Sequence, residues 1–156
     1  MARSLFGMVV LLGALLLAGC RPGPVLKEKK TFADEGWSHA DTLDFKATIA
    51  DTSLQYDLFL DVTHSPEFPN QNFYLRIFTQ FPDGIRQEKL VSLELADNSG
   101  FWFGRCNKKN CRLRIPIQEK AFFNQPGAYL FTLEQYSRLD PLPGIKQMGM
   151  LIRPSR

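Results

Sequence analysis

The chain has 156 residues, with 19 Lys and Arg against 16 Asp and Glu for a formal net charge of +3. That length holds one domain around a single core, and so even a balance, with no dense basic block, excludes a nucleic-acid backbone as partner. The 13 Phe, with Gly and Pro recurring between short apolar runs, suit an all-β domain.

The first element is the apolar run Leu5 to Leu17, LFGMVVLLGALLL, preceded by the single charge of Arg3. A membrane-spanning helix needs about 20 apolar residues. This run is shorter and has the layout of a secretory signal, with a positive start, an apolar middle and small residues at its end. Leu17-Ala18-Gly19-Cys20 follows the bacterial lipobox. Small side chains let the backbone lie in the peptidase, the Cys20 thiol forms a thioether to diacylglycerol, and cleavage frees its amino group for a further acyl chain such as palmitate. Residues 1–19 are therefore expected to be a cleaved signal peptide and Cys20 a lipid attachment site, making the membrane a partner. One acyl chain binds only reversibly, whereas two or three hold durably.

Cleavage leaves 137 of the 156 residues, and 18 of the 19 cations against all 16 acids. Residues 20–36, which include Arg21-Pro22-Gly23-Pro24 and Lys27-Glu28-Lys29-Lys30, read as a tether, because Pro-Gly-Pro does not suit an ordered strand. About ten such residues span roughly 33–36 Å when extended. Neither an Asp after the cysteine nor an acidic run is present, which points to the outer membrane, facing the periplasm.

Residues 37–156 carry the folded body. Thr42 to Ile49 alternates, with Leu43, Phe45, Ala47 and Ile49 on one face. Asp51-Thr52-Ser53 turns into Tyr56 to Val62, with Tyr56, Leu58, Leu60 and Val62 inward and the carboxylates Asp57 and Asp61 outward. After a Pro- and Asn-rich loop, His64 to Asn72, come strands at Phe73 to Thr79 and Lys89 to Leu95, separated by the turn Pro82-Asp83-Gly84. Asp97 to Gly100 turns into Phe101-Trp102-Phe103-Gly104. Arg112 to Ile117, Ala128 to Glu134 and Gln147 to Ile152 supply further strands, and Gln118 to Asn124 is the one candidate short helix, stopped by Pro126-Gly127. The pattern predicts a single antiparallel β-sandwich of about eight strands, Ig-like or jelly-roll-like.

Cys106 and Cys111 flank a four-residue polar turn. In a hairpin such positions face each other within disulfide range, and an exported chain meets an oxidising compartment. A structural disulfide is expected. Half a zinc site would need another Cys or His pair, and His39 and His64 stand alone. There is no nucleophile elbow, phosphate loop or metalloprotease motif, so the sequence predicts no enzyme, no cofactor and no metal. Phe68, Phe73, Tyr74, Trp37 and Trp102 have two readings: a surface for sugar or peptide, or the core of a sandwich, the commoner fate of aromatics.

Several stretches in order resemble the gliding motility lipoprotein GldH family of Bacteroidota. They are Trp37 with Asp41-Thr42-Leu43-Asp44-Phe45, Tyr56-Asp57-Leu58-Phe59-Leu60, Pro69 to Leu75, and Gly100 to Gly104. Gly127-Ala128-Tyr129, Leu133 to Tyr136 and Arg138 to Ile145 complete the series. Where that pattern has an Arg-His pair, this sequence has Thr63-His64. The resemblance implies a non-enzymatic cell-envelope lipoprotein required by a gliding machinery, with an assembly or stabilising role among other envelope proteins. The expected partner surface combines the loop at Pro66 to Asn72, with Phe68, Asn70 and Asn72, and the segment Tyr136 to Ile145, with Tyr136, Arg138 and Asp140, since Tyr and Arg are frequent hot-spot types. The alternative is a carbohydrate- or peptidoglycan-binding lipoprotein.

Overall fold

The computed structural model describes residues 22–33 and 36–156; the expected signal peptide 1–19 and Cys20 lie outside the described residues. Nine strands follow in chain order: β1 (Leu26–Thr31), β2 (Leu43–Ile49), β3 (Gln55–His64), β4 (Asn72–Gln80), β5 (Arg86–Glu94), β6 (Arg105–Cys106), β7 (Cys111–Phe122), β8 (Gly127–Gln135) and β9 (Ile145–Pro154). They form two antiparallel sheets, of order β1-β9-β3-β7-β6 and β2-β8-β4-β5, packed as a sandwich with no helix among the described residues.

The alternation that predicts β2 and β3 decides which side chains meet between the sheets. Leu43, Phe45, Ala47 and Ile49 of β2 face Tyr56, Leu58, Leu60 and Val62 of β3, all buried. Burying side chains of this kind stabilises the fold by about 1.5–3 kcal/mol each relative to exposure. Two aromatic groups close the ends of the core. At one end Tyr56 meets Phe123 at 5.3 Å between ring centroids, and Tyr129 meets Phe123 at 4.7 Å and Phe81 at 5.6 Å. At the other, Trp37 stacks on Phe32 at 4.9 Å and meets Phe73 edge-on at 6.5 Å. Phe68 extends this second group toward His64. The buried cluster runs from Leu26 to Ile152, so residues 22–156 carry a core of their own.

Two local expectations are corrected. The tether is shorter than 20–36, because Lys27-Glu28-Lys29-Lys30 belongs to β1, which pairs with β9 from Leu26↔Ile152 to Thr31↔Gln147. Pro22 and Pro24 keep the strand from starting earlier, and charged side chains suit an edge strand, where they discourage pairing with other chains. Gln118 to Asn124 is not a helix. β7 runs on to Phe122 along β3, through a register irregularity beside Leu58 and a positive φ of 51° at Lys120. Strand pairing and the burial of Phe123 outweigh the local preference. In Phe101 to Gly104, Trp102 makes a single bridge to Ala96. A Cβ at Gly104, whose φ is 83°, would lie 2.3 Å from the Arg112 carbonyl oxygen. Glycine there lets the chain turn against β7 and enter the short β6.

Cys106 and Cys111 form the expected disulfide across paired positions of β6 and β7. Asn107 shapes the turn between them, its Oδ1 accepting from the amides of Lys109 at 2.9 Å and Asn110 at 2.8 Å.

Candidate functional site

Side chains that alternate inward on β4 and β8 leave their neighbours on the outer face of the four-stranded sheet. Between buried Phe73 and Leu75, β4 therefore presents Tyr74, half exposed. Beyond the end of β8 the Tyr136 amide donates to the Tyr74 carbonyl at 2.9 Å, which sets the exposed Tyr136 ring beside it. Leu90 of β5 and Leu139 are exposed next to them. Together with Asn70, Asn72 and Arg138 these residues line one groove of about 830 Å³.

The segment that forms one wall, Ser137 to Leu142, has no regular structure, so its backbone needs partners elsewhere. Buried Gln135 supplies two: its Nε2 donates to the Leu139 carbonyl at 3.1 Å and its Oε1 accepts from the Ser137 amide at 2.9 Å. Trp37 and Leu142 exchange backbone hydrogen bonds at 3.0 and 2.8 Å. The Trp37 indole N–H donates to the Asp41 carbonyl at 2.7 Å, which satisfies its one polar atom inside the core. Asp140 accepts from the His39 amide at 2.8 Å, and this bond is the main cause that holds its carboxyl below the ordinary aspartate range. Beside the groove the Arg76 guanidinium lies over the Tyr136 ring at 4.2 Å and reaches Glu88 at 3.3 Å.

The structure thus brings together two loops that are far apart in sequence. Asn70, Asn72, Tyr136 and Arg138 line the same groove, and Asp140 braces it through His39. Phe68 does not belong to the surface. It is 4 % exposed, packed on Phe73 and His64, because the loop needs an apolar anchor to hold Asn70 and Asn72 in place. Trp37 is wholly buried and Trp102 half-buried, so neither offers an open ring face to a sugar. Leu90 and His39 are lining residues outside the expected partner surface, whereas Leu139 falls within its segment Tyr136 to Ile145. The alternation of β5 places Leu90 on the exposed face opposite Arg76, but nothing in His39 distinguishes it from an ordinary loop residue.

Several other titratable groups are held in contacts within the fold. Arg114 grips Asp61 with two hydrogen bonds, at 2.7 and 2.9 Å, and the bond raises its pKa. Asp57 accepts from the Ser155 hydroxyl at 2.6 Å and the Lys120 amide at 3.1 Å, and the first of these leads in lowering its pKa. His64 is fully buried, with Nδ1 against the Ser65 carbonyl at 2.8 Å and its ring 4.7 Å from Trp102. Burial lowers its pKa, so it stays neutral. Among the described residues no group of three or more His, Cys, Asp or Glu could hold a metal ion. Tyr74, Leu90, Tyr136 and Leu139 are thus exposed beside the Asn70 and Asn72 amides and the Arg138 guanidinium.

A family model described as GldH lipoprotein matches residues 24–152, which takes in β1 and most of β9. A protein of Christiangramia forsetii named as a gliding motility lipoprotein GldH homolog is 21 % identical over 161 residues, covering 98 % of each chain. The gliding motility lipoprotein GldH of Flavobacterium johnsoniae is 24 % identical over 151 residues, covering 92 % of this chain and 93 % of its own. Among solved structures, a family GH115 4-O-methyl-alpha-glucuronidase matches with a TM-score of 0.44 and 9 % identity, over 88 % of this chain and 18 % of that one. A CBM35 in complex with a glucuronic acid containing disaccharide matches with a TM-score of 0.36 and 14 % identity, over 83 % of this chain and 94 % of that one. At these scores neither structure bears on function.

Proposed function

The chain belongs to the GldH lipoprotein family, and from this we propose that it is a non-catalytic, lipid-anchored component of a gliding machinery in the cell envelope. Acylated Cys20 holds it to the outer membrane on the periplasmic side. The groove of Tyr74, Leu90, Tyr136 and Leu139 binds another envelope protein of that machinery, which the anchored domain helps to assemble or stabilise.

One observation carries the reading. The loop before β4 and the segment after β8 meet in one groove whose exposed centre is aromatic and aliphatic and whose rim is polar. That is the anatomy of a protein interface, with an apolar core, a polar rim, and Tyr and Arg as its characteristic types. Anchoring raises the effective concentration of the groove near any partner in the same membrane.

The test is Tyr74→Ala with Tyr136→Ala, introduced on the chromosome. The protein should accumulate at its normal level and stay in the membrane fraction, yet lose its co-purifying envelope proteins and slow colony spreading. Normal spreading with the same proteins retained contradicts the assignment of the groove. Separately, Cys20→Ala should release the domain from the membrane and abolish its function. Full function from the unlipidated protein would overturn the anchored role.

A further inference from the structure

The two outer faces of the sandwich differ in charge. On the five-stranded sheet, register places Lys27 and Lys29 of β1, Arg153 of β9, Arg112 and Arg114 of β7 and Arg105 of β6 on the outward side. Asp57 and Asp61 are the two carboxylates of β3 among them. Asp61 takes up Arg114 at 2.7 Å and Lys29 at 3.9 Å. Among the described residues, Lys27, Arg105, Arg112 and Arg153 make no salt bridge. The outer face of the four-stranded sheet carries Lys46, Arg76 and Arg86 against Asp44, Glu88, Glu94 and Glu134, a balance of the opposite sign.

At the middle of the basic face β9 carries no side chain at Gly149. A Cβ on Gly149 would lie 2.7 Å from Lys29 Cγ and 3.3 Å from Asp61 Cβ. Glycine lets the Lys29 stem cross β9 there and reach Asp61. Five strands at about 4.8 Å spacing make the face roughly 19 Å wide, enough to cover several lipid headgroups.

The chain enters the domain on this side. Pro22, Gly23 and Pro24 share a cleft with Lys27, Arg114 and Arg153, and the Val25 amide already donates to the Ile152 carbonyl at 2.9 Å. Cys20 is two residues from Pro22, hence within about 7 Å of it along the chain. The connector is too short to lift the domain far from an acyl group on Cys20.

We propose that the cationic outer face of the β1-β9-β3-β7-β6 sheet lies on the anionic headgroups of the membrane that holds the lipid anchor. The inference rests on acylation of Cys20 for its geometry, and it deepens that reading by fixing which face meets the bilayer. A lipid chain and a basic patch are two membrane signals that reinforce each other. The groove is then turned away from the bilayer, since it lies on the outer side of the other sheet.

The test uses residues 22–156 without lipid, so its outcome does not depend on acylation; intact mass of the membrane-extracted protein reports Cys20 independently. Co-sedimentation is measured with vesicles of phosphatidylcholine alone and of phosphatidylcholine with phosphatidylglycerol. Binding to the anionic vesicles should exceed binding to neutral ones by about tenfold at ~50 mM salt, and should fade by ~300 mM. K27E with R112E should remove the excess with an unchanged melting temperature. K46E with R86E, an equal change of net charge on the other face, should leave it. Equal binding to both vesicle types, or equal loss from both variant pairs, would overturn the proposal. So would displacement by inorganic phosphate beyond that of chloride at matched ionic strength, which would mark a discrete anion site.

Discussion

The two sheets of this sandwich share one core and differ in almost everything they show to the outside. The five-stranded sheet presents cations around Gly149, beside the point where the chain enters. The four-stranded sheet presents near-balanced charge and, at the end of the sandwich away from that entry, a groove built on Tyr74 and Tyr136. Strand alternation makes this separation possible. Every second residue is free of the core, and the two outward sets meet different surroundings. The core sets the shape and the outward residues set the chemistry each face presents.

The largest expected effect tests whether the groove depends on the core beneath it. Trp37 is wholly buried and shares backbone hydrogen bonds with Leu142. Trp37→Ala should cost about 3–5 kcal/mol, read by urea unfolding. Hydrogen exchange should loosen Ser137 to Leu142 before it loosens β1 and β9. Uniform loosening would mean that the two ends do not differ in their supports.

Next come the exposed aromatics. Tyr74→Ala and Tyr136→Ala should each change stability by no more than about 0.5 kcal/mol, while weakening partner capture by about 30-fold, the effect of a hot spot worth ~2 kcal/mol. The disulfide is of similar weight but acts on the other sheet. Cys106→Ser with Cys111→Ser should lower stability by about 2 kcal/mol, measured by thermal melting, and leave partner capture by the groove unchanged.

A smaller effect concerns His64, which points inward from the cationic sheet toward Phe68 and Trp102 under the groove end. Its pKa is lowered from the ordinary 6.5 by burial. The unfolded chain therefore takes up a proton first as pH falls, and stability should drop as pH descends below about 6.5. His64→Gln should flatten this part of the pH profile. Smallest of all, Arg114→Ala removes an ion pair whose arginine is well exposed and should cost only about 0.2–1 kcal/mol. Any sizeable destabilisation would show that the cationic face is structural rather than a docking surface.

How much of this was legible depended on the range of the forces involved. The alternation of Leu43, Phe45, Ala47 and Ile49, and of Tyr56 through Val62, is local and reports sheet and face directly. The cysteines reported their own pairing by spacing. The edge strand β1 was hidden because its outward lysines and inward Glu28 and Lys30 blur the alternation, and only pairing with β9, more than a hundred residues later, fixes it. The continuation of β7 through Lys120 was hidden for the same reason. In the groove, Asn70, Asn72, Tyr136 and Arg138 were legible as residue types suited to an interface, yet only folding brings them together. Phe68 looks the same in sequence as an exposed aromatic. Its burial follows from Phe73 and His64 behind it, which sequence alone does not place.

One measurement reaches the central claim, that the cationic sheet faces the membrane while the groove faces a protein partner. A photocrosslinking amino acid is placed at Lys27 in one strain and at Leu139 in another, and intact cells are irradiated. The account predicts lipid adducts at position 27 and a discrete protein adduct at position 139. Protein adducts at 27 with lipid at 139 would contradict it.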